Sequence, residues 1–322
     1  MPKNVIKAVK VICSWLLLLA SFYYIYSAYQ RNMAKLAEYS WTAGHLSLMA
    51  LAAVCLGALY LVLGWAWSCM AADQSPKPVR RRLLGVYART SIYKYLPGNV
   101  FHMVGRNVIG GRAGVRQSDL ASATFFEVVL SVLNSFGVAV VLLLFSRSQL
   151  YPRSLVLIAL VAYLLIVAAF FLIPKKARAP EGKRSLAGLF AMVVTPPPGV
   201  STAIPLAISL FAGMACVAIF IWAQLITIPM GWAEIGACYV LGWLVGYVVP
   251  GAPGGIGVRE AFLLFAMSPY AGEADILLFA FIMRLVATGA DLFLFLFGTL
   301  LEKALPATSG APLGPRKGDA SP

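Results

Sequence analysis

Acid is scarce in this chain. Its 322 residues hold 12 Asp+Glu against 26 Lys+Arg, a formal charge of +14, and only 12% are charged at all. An ordinary soluble domain carries about 25% charged residues. Histidine is nearly absent, at two. The five cysteines, Cys13, Cys55, Cys69, Cys216 and Cys238, are scattered through apolar runs with no CxxC. That excludes a disulfide frame and a zinc ribbon. There is no P-loop, HExxH, GxSxG or acidic cluster, so neither a metal, a cofactor nor an enzymatic activity is expected. The glycine-rich run near residue 254 is not a nucleotide fingerprint, because apolar helices flank it where a strand would be needed. The basic excess does not point to nucleic acid, since no recognition helix, RNA-binding aromatic pattern or zinc spacing accompanies it.

What the chain has in quantity is apolar sequence, 61% of the total. Backbone polar groups in lipid must be satisfied within the segment, so long apolar runs predict a helical bundle. The runs Val11–Tyr29, Leu46–Cys69, Leu120–Phe145, Ser154–Ile173, Ala203–Ile226, Trp232–Val249 and Ala274–Leu301 predict about seven crossings. The first, preceded by Lys3, Lys7 and Lys10, reads as a retained span, because no small-x-small cleavage site follows it. The expectation is one all-α polytopic domain over 1–305. The tail 306–322, rich in Pro, Gly, Ala and Ser, reads as disordered. Basic clusters at Lys77, Arg80, Arg81, Arg82 and Arg89, and again at Lys175, Lys176, Arg178, Lys183 and Arg184, place the N-terminus and both loops in the cytoplasm of a cell-membrane protein. Strict counting then leaves the C-terminal end on the other side, subject to whether 251–268 crosses.

Two segments are broken where a membrane helix should be regular. Residues 248–260 read VVPGAPGGIGVRE, with Pro253, Gly254, Gly255 and Gly257 followed by Arg259 and Glu260. Residues 95–106 read YLPGNVFHMVGR, with Pro97 and Gly98 followed by Arg106. Interrupted segments at corresponding positions in two halves point to a transporter-type binding site. The freed N–H groups and helix dipole suit an anion. Re-entrant segments at about 87–110 and 251–268 are therefore expected, with a kink or interfacial helix as the plainer alternative for the first.

Ionisable residues inside spans are costly and by default mark function. Glu127 stands in FFEVVL; Arg284 and Asp291 share one face of the last span. Each also has a structural reading. Glu127 can neutralise an arginine from a re-entrant segment, Arg284 and Asp291 can pair through a neighbour, and Arg259–Glu260 can snorkel to the interface. His102 and His45 have no partner that suggests chemistry.

Taken together, YLPGNVFHMVGR, ATFFEVVLSVL, VPGAPGGIGVREAFLL and FAFIMRLV resemble the lysylphosphatidylglycerol synthase transmembrane-region family, over roughly residues 10–302. The resemblance carries Pro97, Gly98, Arg106, Glu127, Pro253, Gly254, Gly255, Gly257, Arg259, Glu260 and Arg284. In two-part members such a region is joined to a domain that transfers lysine onto phosphatidylglycerol, and the membrane region flips the product. These 322 residues hold no soluble transferase domain, so that activity is not expected here. The resemblance implies binding and translocation of an anionic lipid, either a phospholipid or a polyprenyl-phosphate conjugate. Arg106, Arg259 and the N–H groups exposed after the glycine breaks would hold the phosphate. Glu127 and Glu260 would orient those arginines or take a proton during the cycle, and Arg284 would line the same cavity. Stand-alone members often accompany glycosyltransferases, so a non-transporting partner or regulator of such an enzyme is an alternative. A small-solute secondary transporter is another.

Overall fold

The computed structural model describes residues 23, 26–27, 29–34, 37–72, 76–95, 100–147, 152–172, 196–197, 199–226, 228–249 and 252–305. Within them every regular element is helical, as the apolar runs predict. In chain order these are α1 (Ala43–Ala71), α2 (Lys77–Thr90), a 3-10 turn (Ser91–Tyr95), α3 (Phe101–Gly111), α4 (Gln117–Leu144) and α5 (Arg153–Leu172). There follow α6 (Val200–Leu225), α7 (Trp232–Val248), a second 3-10 turn (Pro253–Gly255), α8 (Val258–Met267) and α9 (Glu273–Ala304). Helices α1, α4, α6 and α9 are long and apolar enough to cross a bilayer; α5 and α7 are apolar but shorter. The chain is a multi-pass helical membrane bundle. The predicted crossing Val11–Tyr29 lies almost wholly outside the described residues, as do Pro97, Gly98, the basic loop 174–184 and the tail 306–322.

The core is built on α1, which packs against α6 on one side and α9 on the other, while α4 packs against α7. Close approach of backbones sets the α2–α9 contact. A Cβ on Gly298 would stand 2.9 Å from the Arg89 backbone nitrogen. Leu56, Trp67, Phe211, Tyr239 and Phe279 fill the centre without solvent contact.

The two broken segments form two hairpins. Helix α3 has 11 residues and α8 has 10. At 1.5 Å per residue each covers about 15 Å, roughly half of a hydrocarbon core about 30 Å thick. In the first hairpin α2 and its 3-10 turn enter the bundle and α3 packs back against them. In the second, α8 runs antiparallel to α7: a Cβ on Gly246 would touch Gly255 and Arg259, and one on Gly242 would touch Phe262 and Leu263. The run Trp232–Val249, read from sequence as a crossing, is thus one arm of a hairpin whose other arm is the broken segment 251–268.

The tips meet. The two 3-10 turns are in contact, and a Cβ on Gly254 would stand 3.2 Å from the Tyr95 ring. Gly255 must be glycine for two reasons. Its φ is +71°, and a Cβ there would lie about 3 Å from the Gly246 backbone. Without that residue α8 could not fold back so tightly on α7.

The hairpins enter from opposite faces. Gly199, which opens α6, lies against the Cys69 carbonyl at the end of α1, and Gly298 and Leu301 of α9 lie against Gly85 and Ala88 of α2. The end of α1, the basic start of α2, the start of α6 and the end of α9 therefore share one face. On the other face Tyr39 donates to the Leu225 carbonyl at the end of α6 (3.1 Å), and Glu234 of α7 accepts from Ser146 beyond α4 (2.6 Å). The side of the end of α9, which strict counting left dependent on 251–268, follows from this arrangement: because α7 and α8 enter and leave by one face, α9 runs back to the basic face.

Candidate functional site

Where the hairpin tips meet, a cavity of about 100 Å³ lies between α1, α2, α3, α4, α6, α7, α9 and the tips. A single water needs roughly 10–15 Å³ of such space. The cavity therefore has room for several waters or a headgroup-sized anion. Arg106, Glu127 and Arg259, three of the residues singled out from sequence, line it. Lys94, His102 and Asp291 line it too, with Tyr60, Tyr87, Trp243 and Tyr247 forming much of the wall.

Arg106 comes from α3 and Glu127 from the third turn of α4. Their side chains, 3% and 5% exposed, form an ion pair at 2.5 Å. Tyr87 donates to the other carboxylate oxygen at 2.9 Å. The guanidinium lies 4.7 Å from the Tyr87 ring centre and 5.2 Å from that of Trp67, over both faces. Trp67 in turn donates to Thr124 (3.0 Å), which donates to Asn107 (2.9 Å). A cation this deep is tolerated only because a carboxylate and two aromatic faces replace its water. This is the structural reading of Glu127 offered by the sequence, and it leaves the Arg106 Nε buried without a hydrogen-bond partner among the described residues.

A second pair closes the other side. Lys94, at the end of the first hairpin's 3-10 turn, donates to Asp291 of α9 at 2.7 Å, and Tyr95 donates to the same carboxylate at 2.6 Å. Asp291 is thus the anchor for the first tip, not the partner of Arg284.

Arg284 anchors the second tip instead. Its Nε and Nη2 donate to one oxygen of Glu260 at 2.9 and 2.5 Å, and its Nη1 donates to the Gly254 carbonyl at 3.0 Å. The other Glu260 oxygen accepts the Gly257 N–H at 2.8 Å, a capping-box contact at the start of α8. Glu260 and Arg284 therefore staple the glycine loop, beside the cavity and not on its wall. The N–H groups freed by the break are not all offered to a ligand. That of Gly257 is taken by Glu260, and that of Gly255 by the Ala252 carbonyl at 3.0 Å.

Arg284→Gln should cost about 1.5–3 kcal/mol, the value of charge-assisted hydrogen bonds. It should show as a lowered thermal midpoint of the purified protein. An unchanged midpoint would mean the staple is dispensable.

Arg259 differs from the other cations. It stands between the cavity and the Glu260–Arg284 staple. Among the described residues no carboxylate pairs with it, and its Nε is buried without a hydrogen-bond partner. On the cavity wall, Lys94, Arg106 and Arg259 supply three positive charges, and Glu127 and Asp291 two negative ones. With His102 neutral, the balance is +1, and Arg259 carries it.

Sequence reasoning passed over Lys94, Tyr87, Trp67, Tyr60 and Tyr247. For Lys94 the available signal was its place in YKY, directly ahead of the first Pro-Gly break. For the aromatics there was none, since one more ring in a membrane helix is unremarked.

Residues 7–298 match the family model described as Lysylphosphatidylglycerol synthase TM region. No curated protein matches the chain.

Proposed function

The chain belongs to the lysylphosphatidylglycerol synthase transmembrane-region family, and on that premise we propose that it binds an anionic lipid by its phosphate in the central cavity and moves it between the leaflets of the cell membrane. The observation that carries this reading is Arg259, a cation on the cavity wall that no carboxylate among the described residues pairs with. A charge placed there without a carboxylate is expensive, and an anionic ligand offsets that cost. Its guanidinium is a fork matched to two phosphate oxygens. Arg106, already neutralised by Glu127, adds the open Nε on the same wall. Glu260 and Arg284 fix the loop from which Arg259 projects.

Two hairpins entering from opposite faces, each with a return arm of about half a membrane's length, favour movement over simple holding. Each tip is tied to α9 by one charged cluster, at Asp291 and at Arg284, so either can be released while the other holds. The basic face, with Arg80, Arg81 and Arg82, lies in the cytoplasm on this reading, which the positive-inside rule supports. On this reading the protein is not an enzyme, and it needs no cofactor.

Mass spectrometry of lipids retained by the purified protein tests the binding half. Anionic lipids should be enriched over their share of the source membrane. Retention in proportion to that share would remove the site.

A further inference from the structure

Resting on the lipid reading above, we propose that the cavity is matched to a singly charged phosphodiester headgroup and discriminates against lipids that end in a dianionic monoester or a pyrophosphate. The inference follows from which charges are already spent. Lys94 is committed to Asp291 at 2.7 Å and Arg106 to Glu127 at 2.5 Å, both within the cavity wall. Arg284, which lines the adjoining pocket with Arg259, has donors on Glu260 and on the Gly254 carbonyl. Among the described residues on the cavity wall, Arg259 alone is left to meet an anion.

One guanidinium neutralises one charge. A phosphodiester carries one charge, shared over two non-bridging oxygens whose spacing fits the guanidinium fork. Its two ester arms lead away from the cation, one to the rest of the headgroup and one to the lipid chain. A monoester ionised twice, or a pyrophosphate, brings a second charge that finds no free cation. That charge would lie instead in a weakly screened cavity bounded by Glu127 and Asp291. Specificity of this kind comes from repulsion as much as attraction. The remaining polar atoms suit neutral groups: the Nε of Arg106, a donor, belongs to an already balanced pair, and His102 presents a buried Nδ1 without a partner among the described residues. The shared chemistry, a lipid phosphodiester, has two sources, a glycerophospholipid or a polyprenyl phosphoryl sugar.

The full chain in neutral detergent is titrated, by native mass spectrometry, with four probes. These are dioleoyl phosphatidylglycerol, a polyprenyl phosphoryl hexose, dioleoyl phosphatidic acid above its second ionisation, and a polyprenyl pyrophosphate. The two diesters should bind at least about tenfold more tightly than the two multiply charged lipids. Whichever diester binds more tightly names the source. Arg259→Lys should keep the preference, and Arg259→Gln should lose diester binding. Asp291→Asn, which raises the cavity balance by one positive charge, should move the preference towards the dianions. Equal affinity for all four probes, lost together in Arg259→Gln, would overturn the charge match while leaving the lipid site in place. Absence of binding by every probe, or full binding by Arg259→Gln, would overturn the lipid reading itself.

Discussion

Replacing Arg106 with alanine should destabilise the folded protein by about 3–5 kcal/mol, the cost of removing one partner of a buried ion pair. Glu127, 5% exposed, would keep only the Tyr87 hydroxyl for its charge. The aromatic faces of Trp67 and Tyr87 would lose the cation that lies over them. Glu127→Ala should cost a similar amount, because it strands the guanidinium. The double change Arg106→Met with Glu127→Leu should recover most of the loss, since a buried pair exchanged for apolar groups of similar volume is often neutral. Reversible unfolding in mixed micelles measures all three. A single-variant cost below about 1 kcal/mol would mean that water reaches the pair and that it is not part of the frame.

Arg259→Ala should do the reverse, lowering lipid affinity at least tenfold with little change in stability. The affinity figure corresponds to about 1.5 kcal/mol, the lower bound for a hydrogen bond to a charged group. Stability should stay within about 1 kcal/mol of the parent, because among the described residues no carboxylate is left stranded when Arg259 goes. Calorimetric titration with an anionic lipid, alongside thermal unfolding of the same sample, separates the two effects. A large fall in stability with unchanged affinity would make Arg259 a structural residue and would shift the headgroup role to Arg106.

The contrast between these arginines shows what the sequence could and could not convey. Both follow a Pro-Gly break, and sequence alone gave no ground to treat them differently. Spacing within one segment was legible, because a broken apolar run and a charge a turn or two later are local facts. The half-length α3 and α8 and the Glu260 contact with Gly257 follow from such local signals. The second hairpin does not, since Trp232–Val249 taken alone reads as a crossing. Pairing across the chain was not legible. Lys94 and Asp291 lie 197 positions apart, and nothing about Lys94 in isolation separates it from an interfacial lysine. Arg284 and Asp291 do share a face of α9, as their spacing implied, yet each serves a different hairpin tip. Their common face explains how one helix can hold both tips. The sidedness of α9 stayed open for a related reason: whether an apolar run of crossing length crosses depends on its neighbour, and α8 turns α7 into half of a hairpin.

The central claim is that this bundle moves a lipid, and the direct measurement is transfer of a headgroup-labelled anionic lipid between leaflets of vesicles containing the purified chain. The account predicts transfer well above that of protein-free vesicles, falling to the protein-free rate with Arg259→Ala. Transfer no faster than in protein-free vesicles, by protein that still retains the lipid, would contradict it and leave a lipid-holding membrane partner in its place.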